Sequence, residues 1–179
     1  MTPIILLERL KEFIEEKTAD IILPVRPVNN KTLPEPKPRG KQPAPSEDVI
    51  TERAPEVHLM RLPDKDAETN RIPYILLQFL TGTDEHPGNE PDSECKIRVI
   101  IATYSENDSV GAMDVLNIIT RIRVALLKAG EVGQQFLLRQ PLEYLIYPDD
   151  TRPYFFGELM TVWEMPTIER EVHTHYVEK

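Results

Sequence analysis

Apolar residues recur along the first seventeen positions at the spacing of one helix face: Leu6, Leu7, Leu10, Phe13 and Ile14 share a side, while Glu8, Arg9, Glu12, Glu15 and Glu16 fall mainly on the other. Thr2 followed by Pro3 offers an N-cap and a first-turn proline, so the spacing predicts an amphipathic helix ending near Lys17. The short apolar run Ile21 to Leu23 predicts a small strand. A second helical pattern, capped by Asp108 or Ser109, carries Ala112, Val115, Leu116, Ile118, Ile119, Ile122 and Leu126 on a face broad enough to lie across a sheet; Gly130 stops it.

The remaining apolar runs are strand-like. Val57, Leu59, Met60 and Leu62 predict a strand or irregular edge. Tyr74 to Leu80, introduced by Pro73, reads as a central strand and Lys96 to Tyr104 as its partner. Gly82, Pro87, Gly88 and Pro91 sit among acids between them, so Thr81 to Glu94 reads as the long loop of an antiparallel hairpin. Phe136 to Leu138, Leu142 to Tyr147 and Tyr154 to Met165 then predict a strand meander continuing from the hairpin, with a Pro148-Asp149-Asp150 turn before the last strand and Pro166 after it. The pattern predicts an α+β fold: a mostly antiparallel β-sheet with two α-helices packed on one face. The last strand is apolar on both sides, with Phe155, Leu159 and Trp163 on one and Tyr154, Phe156, Met160 and Val162 on the other. Its second face therefore needs a cover, from a loop, from the short N-terminal strand or from another subunit.

Composition changes the picture at one place. The chain of 179 residues has 17 prolines against 7 glycines, and Pro24 to Pro55 holds many of them, with Pro34, Pro36 and Pro38 alternating. Proline suits neither helix interiors nor central strands, so 24–55 reads as a proline-rich flexible insert in a single domain spanning 1–179. Its cations Lys31, Lys37, Arg39 and Lys41 are read as part of a solvated loop. A net charge of −9 argues against general wrapping of nucleic acid. No apolar run approaches the roughly 20 residues that cross a bilayer, and no basic leader opens the chain, which predicts a soluble protein of a cytoplasm-like compartment. Cys95 stands alone, so an internal disulfide is impossible, and it reads as an inert strand residue.

Candidate chemistry is sparse. Phosphate-cradling, dinucleotide-binding and nucleophile-elbow motifs are all missing from the sequence. Asp64, Asp66 and Glu68 alternate like the start of a calcium loop, but Thr69 stands where that loop needs glycine and Ile75 where it needs glutamate. His173 and His175 alternate without a third ligand at short spacing. The carboxylates of Asp84-Glu85, Glu90 to Glu94 and Asp149-Asp150 read as charged turns. Tyr144, Tyr147, Tyr154, Phe156 and Trp163 are not interleaved with cations as a base-stacking platform would be, so they read as core and interface. The sequence thus predicts no catalysis, no cofactor and no metal. A small hydrolase or nuclease with a hidden carboxylate site, and a bacterial adaptor using the proline-rich segment as a peptide ligand, stand as alternatives of other classes.

The order of elements outside the proline-rich segment resembles that of the tail terminator, or tail-completion, proteins of long-tailed bacteriophages. The likeness lies in the opening helix, the strand running into Leu80-Thr81-Gly82, the acidic hairpin loop, the strand Lys96 to Tyr104, the second helix and the closing strands. It rests on element order, not on a diagnostic motif, and the insert is longer than expected for that family. The resemblance implies a phage or prophage structural protein, assembled in the host cytoplasm and then part of the virion neck. It implies a ring, commonly of six subunits, that caps the head-proximal end of the tail tube, stops tube polymerisation and presents a surface for joining the head. The implied partners are further copies of the chain, the major tail tube protein and a head-completion or connector protein; DNA would pass through an acidic lumen without specific binding, and no membrane is involved. Another head-tail connector or stopper, or a minor tail component, is the nearest alternative. On this reading Tyr144, Tyr147, Tyr154, Phe156, Met160 and Val162 are candidate subunit or partner contacts, and Thr83, Asp84, Glu85, His86 and Glu90 form a candidate partner-contact loop.

Overall fold

In the computed structural model, which describes residues 2–26, 52–63, 72–85, 92–148 and 152–167, the first amphipathic pattern forms helix α1 (Pro3–Thr18). Leu6, Leu7, Leu10 and Ile14 are its buried side, and Thr18, also buried, donates its hydroxyl to the Ile14 carbonyl at 2.8 Å. Thr2 occupies the N-cap position without a side-chain cap bond, so Pro3, whose φ is already helical, is the sequence feature that starts the helix. The second pattern forms α2 (Asp108–Ala129), buried through Val115, Ile118, Ile119, Ile122 and Leu126. Its cap is Asn107, not Asp108 or Ser109: the Asn107 side chain accepts from the Ser109 N–H at 3.1 Å. An N-cap needs an extended backbone one residue ahead of the helix, and Asn107, at φ −102° and ψ 116°, is the residue that has it. Gly130 closes the helix in the left-handed region, as the sequence predicts, with its N–H on the Leu126 carbonyl at 2.8 Å.

Chain order along the rest is β1 (Leu23–Pro24), β2 (Glu52–Arg53), β3 (Glu56–Leu59), β4 (Tyr74–Glu85), β5 (Asp92–Tyr104), then α2, β6 (Glu131–Val132), β7 (Phe136–Ile146) and β8 (Tyr154–Glu164). β1 and β2 form a small antiparallel ribbon that brackets the proline-rich stretch, most of which lies outside the described residues. The other six strands make one sheet in the order β3-β4-β5-β8-β7-β6. All its pairs are antiparallel except β3 with β4.

Three strand expectations are corrected. The closing strands do not continue from the hairpin as a meander. The chain leaves β5 through α2, builds β7 at the far side and returns as β8 between β5 and β7. A strand apolar on both faces is best kept between two neighbours, and β8 is that strand. The loop expected from Thr81 to Glu94 is largely ladder: Thr81 pairs with Lys96 and the register runs on to Glu85 with Asp92. Here β4 is an exposed edge of the sheet, with no apolar face of its own to mark it, so its polar text reads as loop. Finally, the two short runs before the Pro148 turn are one strand, β7, whose register shifts between Arg139 and Glu143 around Pro141. Proline has no N–H to give a ladder, and the irregularity absorbs it.

Both helices lie on one face of the sheet, α2 against β5, β7 and β8, and α1 against α2, β3, β4 and β6. Between them and the sheet sit Ile75, Leu77, Ile97, Val99, Ile101, Leu159 and Trp163, all fully buried. Glycine lets α2 approach β8 closely. A Cβ on Gly157 would fall 2.6 Å from Val115 Cγ1, and one on Gly111 would fall 2.2 Å from the Phe155 ring. Trp163 donates its indole N–H to Thr161 Oγ1 at 2.8 Å, and that hydroxyl bonds the Ile97 carbonyl at 3.1 Å, so these two polar groups buried with the core are paired. No helix among the described residues is long and apolar enough to cross a membrane.

Candidate functional site

Successive side chains of a strand alternate between faces, so β8 sends Phe155, Gly157, Leu159, Thr161 and Trp163 toward the helices and Tyr154, Phe156, Glu158, Met160, Val162 and Glu164 to the opposite side. On that opposite side the register sets Tyr104, Ala102, Ile100, Arg98 and Lys96 of β5 beside Tyr154, Phe156, Glu158, Met160 and Val162. On the other flank Leu145 meets Glu158, Glu143 meets Met160 and Arg139 meets Val162. The two ends of this face differ. Near Tyr104 and Tyr154, which are 6.0 Å apart, it is closed: Leu76, Ala102 and Tyr104 are buried and Arg26 donates to the Tyr154 hydroxyl at 2.6 Å. Further along, Phe156, Met160 and Val162 are half-buried and Leu145 is exposed.

Five of the six residues expected at an interface therefore meet on one surface: Tyr147, Tyr154, Phe156, Met160 and Val162. Tyr144 does not join them. It stands opposite Leu159 on the helix side of the sheet, 45% exposed, with the Arg123 guanidinium over its ring at 5.2 Å. Tyr144 and Tyr147 are three apart on an extended backbone, which puts them on opposite faces.

A polar island interrupts the apolar row. Arg98 bonds Glu158 at 2.5 Å and the Tyr147 hydroxyl at 2.5 Å, and that hydroxyl bonds Glu158 at 2.6 Å. The bond to Glu158, followed by burial, raises the Tyr147 pKa above its ordinary value. Burial alone would lower the pKa of Arg98, but its bonds to Glu158 and Tyr147 outweigh that and raise it. The sequence singles out Tyr147 but not its two partners. Glu158, a carboxylate in the middle of an apolar strand, is the signal that could have found them.

Near the base of the hairpin arm a second arginine gathers three carboxylates. Arg139 reaches Asp92 at 2.5 Å, Glu94 at 3.3 Å and Glu164 at 3.3 Å. Glu94 and Glu164 are directly paired across the ladder, an arrangement that repels unless a cation sits between them. Thr83, Asp84 and Glu85 are exposed residues of β4, paired with Glu94, Ser93 and Asp92. They belong to a strand arm, not to a loop, and Asp84 accepts from Ser93 Oγ at 2.5 Å. His86 and Glu90 lie outside the described residues, as do Asp64, Asp66, Glu68, Asp149, Asp150, His173 and His175.

Cys95, buried in β5 opposite Trp163, has its thiol pushed up to about 11 by burial and by neighbouring Glu94. Among the described residues no three His, Cys, Asp or Glu side chains are gathered as a metal site would require. The surface offers shape and charge: a half-buried apolar row, a tied polar island and an acidic arm. Neither a protein-family model nor a curated protein matches the sequence.

Proposed function

We propose that this chain is a structural subunit that works by packing against copies of itself, and that its role is that of a tail terminator: a ring closing the head-proximal end of a phage tail tube and offering the head-joining surface. The observation that carries the self-packing reading is the row Phe156, Met160 and Val162, half-buried on the face of the central strand that no described helix covers. A row of this kind, broken by the mutually paired Arg98, Glu158 and Tyr147 and bordered at its far end by Arg139, has the make-up of a subunit contact, in which apolar area is combined with polar groups that are already satisfied. The terminator role adds the likeness in element order described above. An acidic chain suits a ring through which DNA passes without adhering.

The test is solution mass by light scattering across concentration at low and moderate salt, followed by negative-stain imaging with and without tail tube protein. The proposal expects a concentration-dependent closed ring that binds the end of the tube. A strict monomer under all these conditions, tube protein included, would sink it. Met160→Glu, which leaves the helix-side core untouched, is expected to abolish the ring while the monomer stays folded.

A further inference from the structure

The outer surface of the helical layer holds a groove of about 740 Å³ between α1 and α2, floored by Phe13, Val124 and Ala125 and edged by Lys17, Arg121 and Lys128. Three cations and no carboxylate line it, in a chain whose net charge is −9. Lys17 and Arg121 have acidic neighbours, Glu16 and Asp20, each at 2.6 Å, but both of those carboxylates are largely in solvent. Exposed pairs of that kind hold weakly and exchange readily for a better-placed partner. Val124 and Leu127, both exposed, continue the apolar strip along α2.

The acidic surface that fits this groove is on the same chain. From Thr83 to Glu94 the sequence has five carboxylates and no lysine or arginine. Arg139 shares its single positive charge among Asp92, Glu94 and Glu164, and among the described residues Asp84 and Glu85 are the exposed charges of the arm. Glu85 stands directly opposite Asp92, a like-charge pair that a cation from outside would relieve.

We infer that the acidic arm of one copy, through Asp84 and Glu85, seats on the basic groove of the next, against Lys17, Arg121 and Lys128. Groove and arm are different patches of one surface, so the contact is head-to-tail; it closes into a ring when the rotation per copy divides the circle and otherwise runs on as a filament. This inference rests on the self-packing reading above and names one pair of surfaces that joins the copies.

Charge reversal tests it on the full chain. Arg121→Glu with Lys128→Glu, and separately Asp84→Lys with Glu85→Lys, are each expected to raise the concentration at half-assembly by about tenfold or more at low salt, since like charges across an interface repel. A mixture of the two variants pairs reversed arms with reversed grooves in only some of its contacts, so the decisive sample is the single chain carrying all four changes. It is expected to recover assembly to within about threefold of the unaltered protein. Far-ultraviolet circular dichroism on every variant confirms that the exposed changes leave the fold in place. If the unaltered chain assembles and neither reversal moves the midpoint, the arm-to-groove contact is overturned and the ring reading survives. If each reversal weakens assembly and the fourfold variant does not recover, the two surfaces do not meet each other and the inference is again overturned. A chain that stays monomeric throughout overturns both.

Discussion

Gly157→Ala adds one methyl group at a close approach between α2 and β8. Its Cβ would stand 2.6 Å from Val115 Cγ1, and 3.0 Å from both Ile119 Cδ1 and the Leu145 carbonyl oxygen. Carbon atoms pack at about 3.5 to 4.0 Å, so the new methyl is about 1 Å too close to Val115 and α2 must lift from β8. Overpacking of this kind costs about 1 to 3 kcal/mol. Val115→Ala alone should cost about 2 kcal/mol through the lost methyl groups and the space they leave. Together the two changes conflict less than their sum, because the atom that collides with the new Cβ has gone. The double variant should therefore be at least about 1 kcal/mol more stable than additivity requires, with the Leu145 carbonyl limiting the recovery. Trp163 is the chain's single tryptophan and is fully buried, so its emission during urea unfolding reports the global transition. Costs that add to within about 0.5 kcal/mol would refute the idea that Gly157 sets the distance between helix and sheet.

Removal of the Arg139 side chain leaves Glu94 facing Glu164 without a cation. Arg139→Ala is expected to lower amide-exchange protection in β5 from Asp92 to Lys96 while changing global stability by only about 1 kcal/mol, because these charges are partly in solvent; unchanged protection in that segment would count against the clamp. The Cys95 thiol, at about 11, should resist a disulfide reagent at pH 8 in the native state and react promptly in urea; fast native labelling would contradict its burial. Burial raises Tyr74 and Tyr104 above the ordinary 10.0, and the bond to Glu158 raises Tyr147. The folded state therefore holds these protons more tightly than the unfolded chain, so the stability they contribute is complete below about pH 10 and is lost as pH rises through the folded values. The urea midpoint should fall steeply above about pH 10, and Tyr74→Phe with Tyr104→Phe should flatten that fall; an unaltered slope would refute the linkage.

Much of the fold is legible in periodicity. The helical spacing of Leu6 to Ile14 and of Val115 to Leu126 marks both helices, and the continuous apolar run from Tyr74 marks an interior strand. Pairing order is not a local property, however, and nothing in the spacing of Tyr154 to Met165 says that this last strand inserts beside β5. The doubly apolar text of β8 carries that information indirectly, since a strand rich on both faces belongs in the middle of a sheet. The stretch from Thr81 to Glu85 is hard to read because a strand whose residues are all exposed leaves no alternation. At the candidate surface, the alternation along β8 collects Tyr154, Phe156, Met160 and Val162 directly. Arg98 and Glu158 are 60 positions apart, and only the register brings them together with Tyr147. Tyr144 lies on the other face from Tyr147, which their three-residue separation along an extended strand already implies.

The β1–β2 ribbon has a practical consequence. Leu23 pairs with Arg53 and Pro24 with Glu52, so the chain leaves and re-enters the fold at neighbouring points, about 5 Å apart. Closing a segment between such fixed points costs little more as it lengthens, about 0.6 kcal/mol for each doubling. The molecule thus carries a ready splice point. An epitope, a fluorophore site or a shortened linker placed between Arg26 and Glu52 is expected to leave the six-stranded sheet and the Arg26–Tyr154 contact in place, and it marks a defined corner of the molecule.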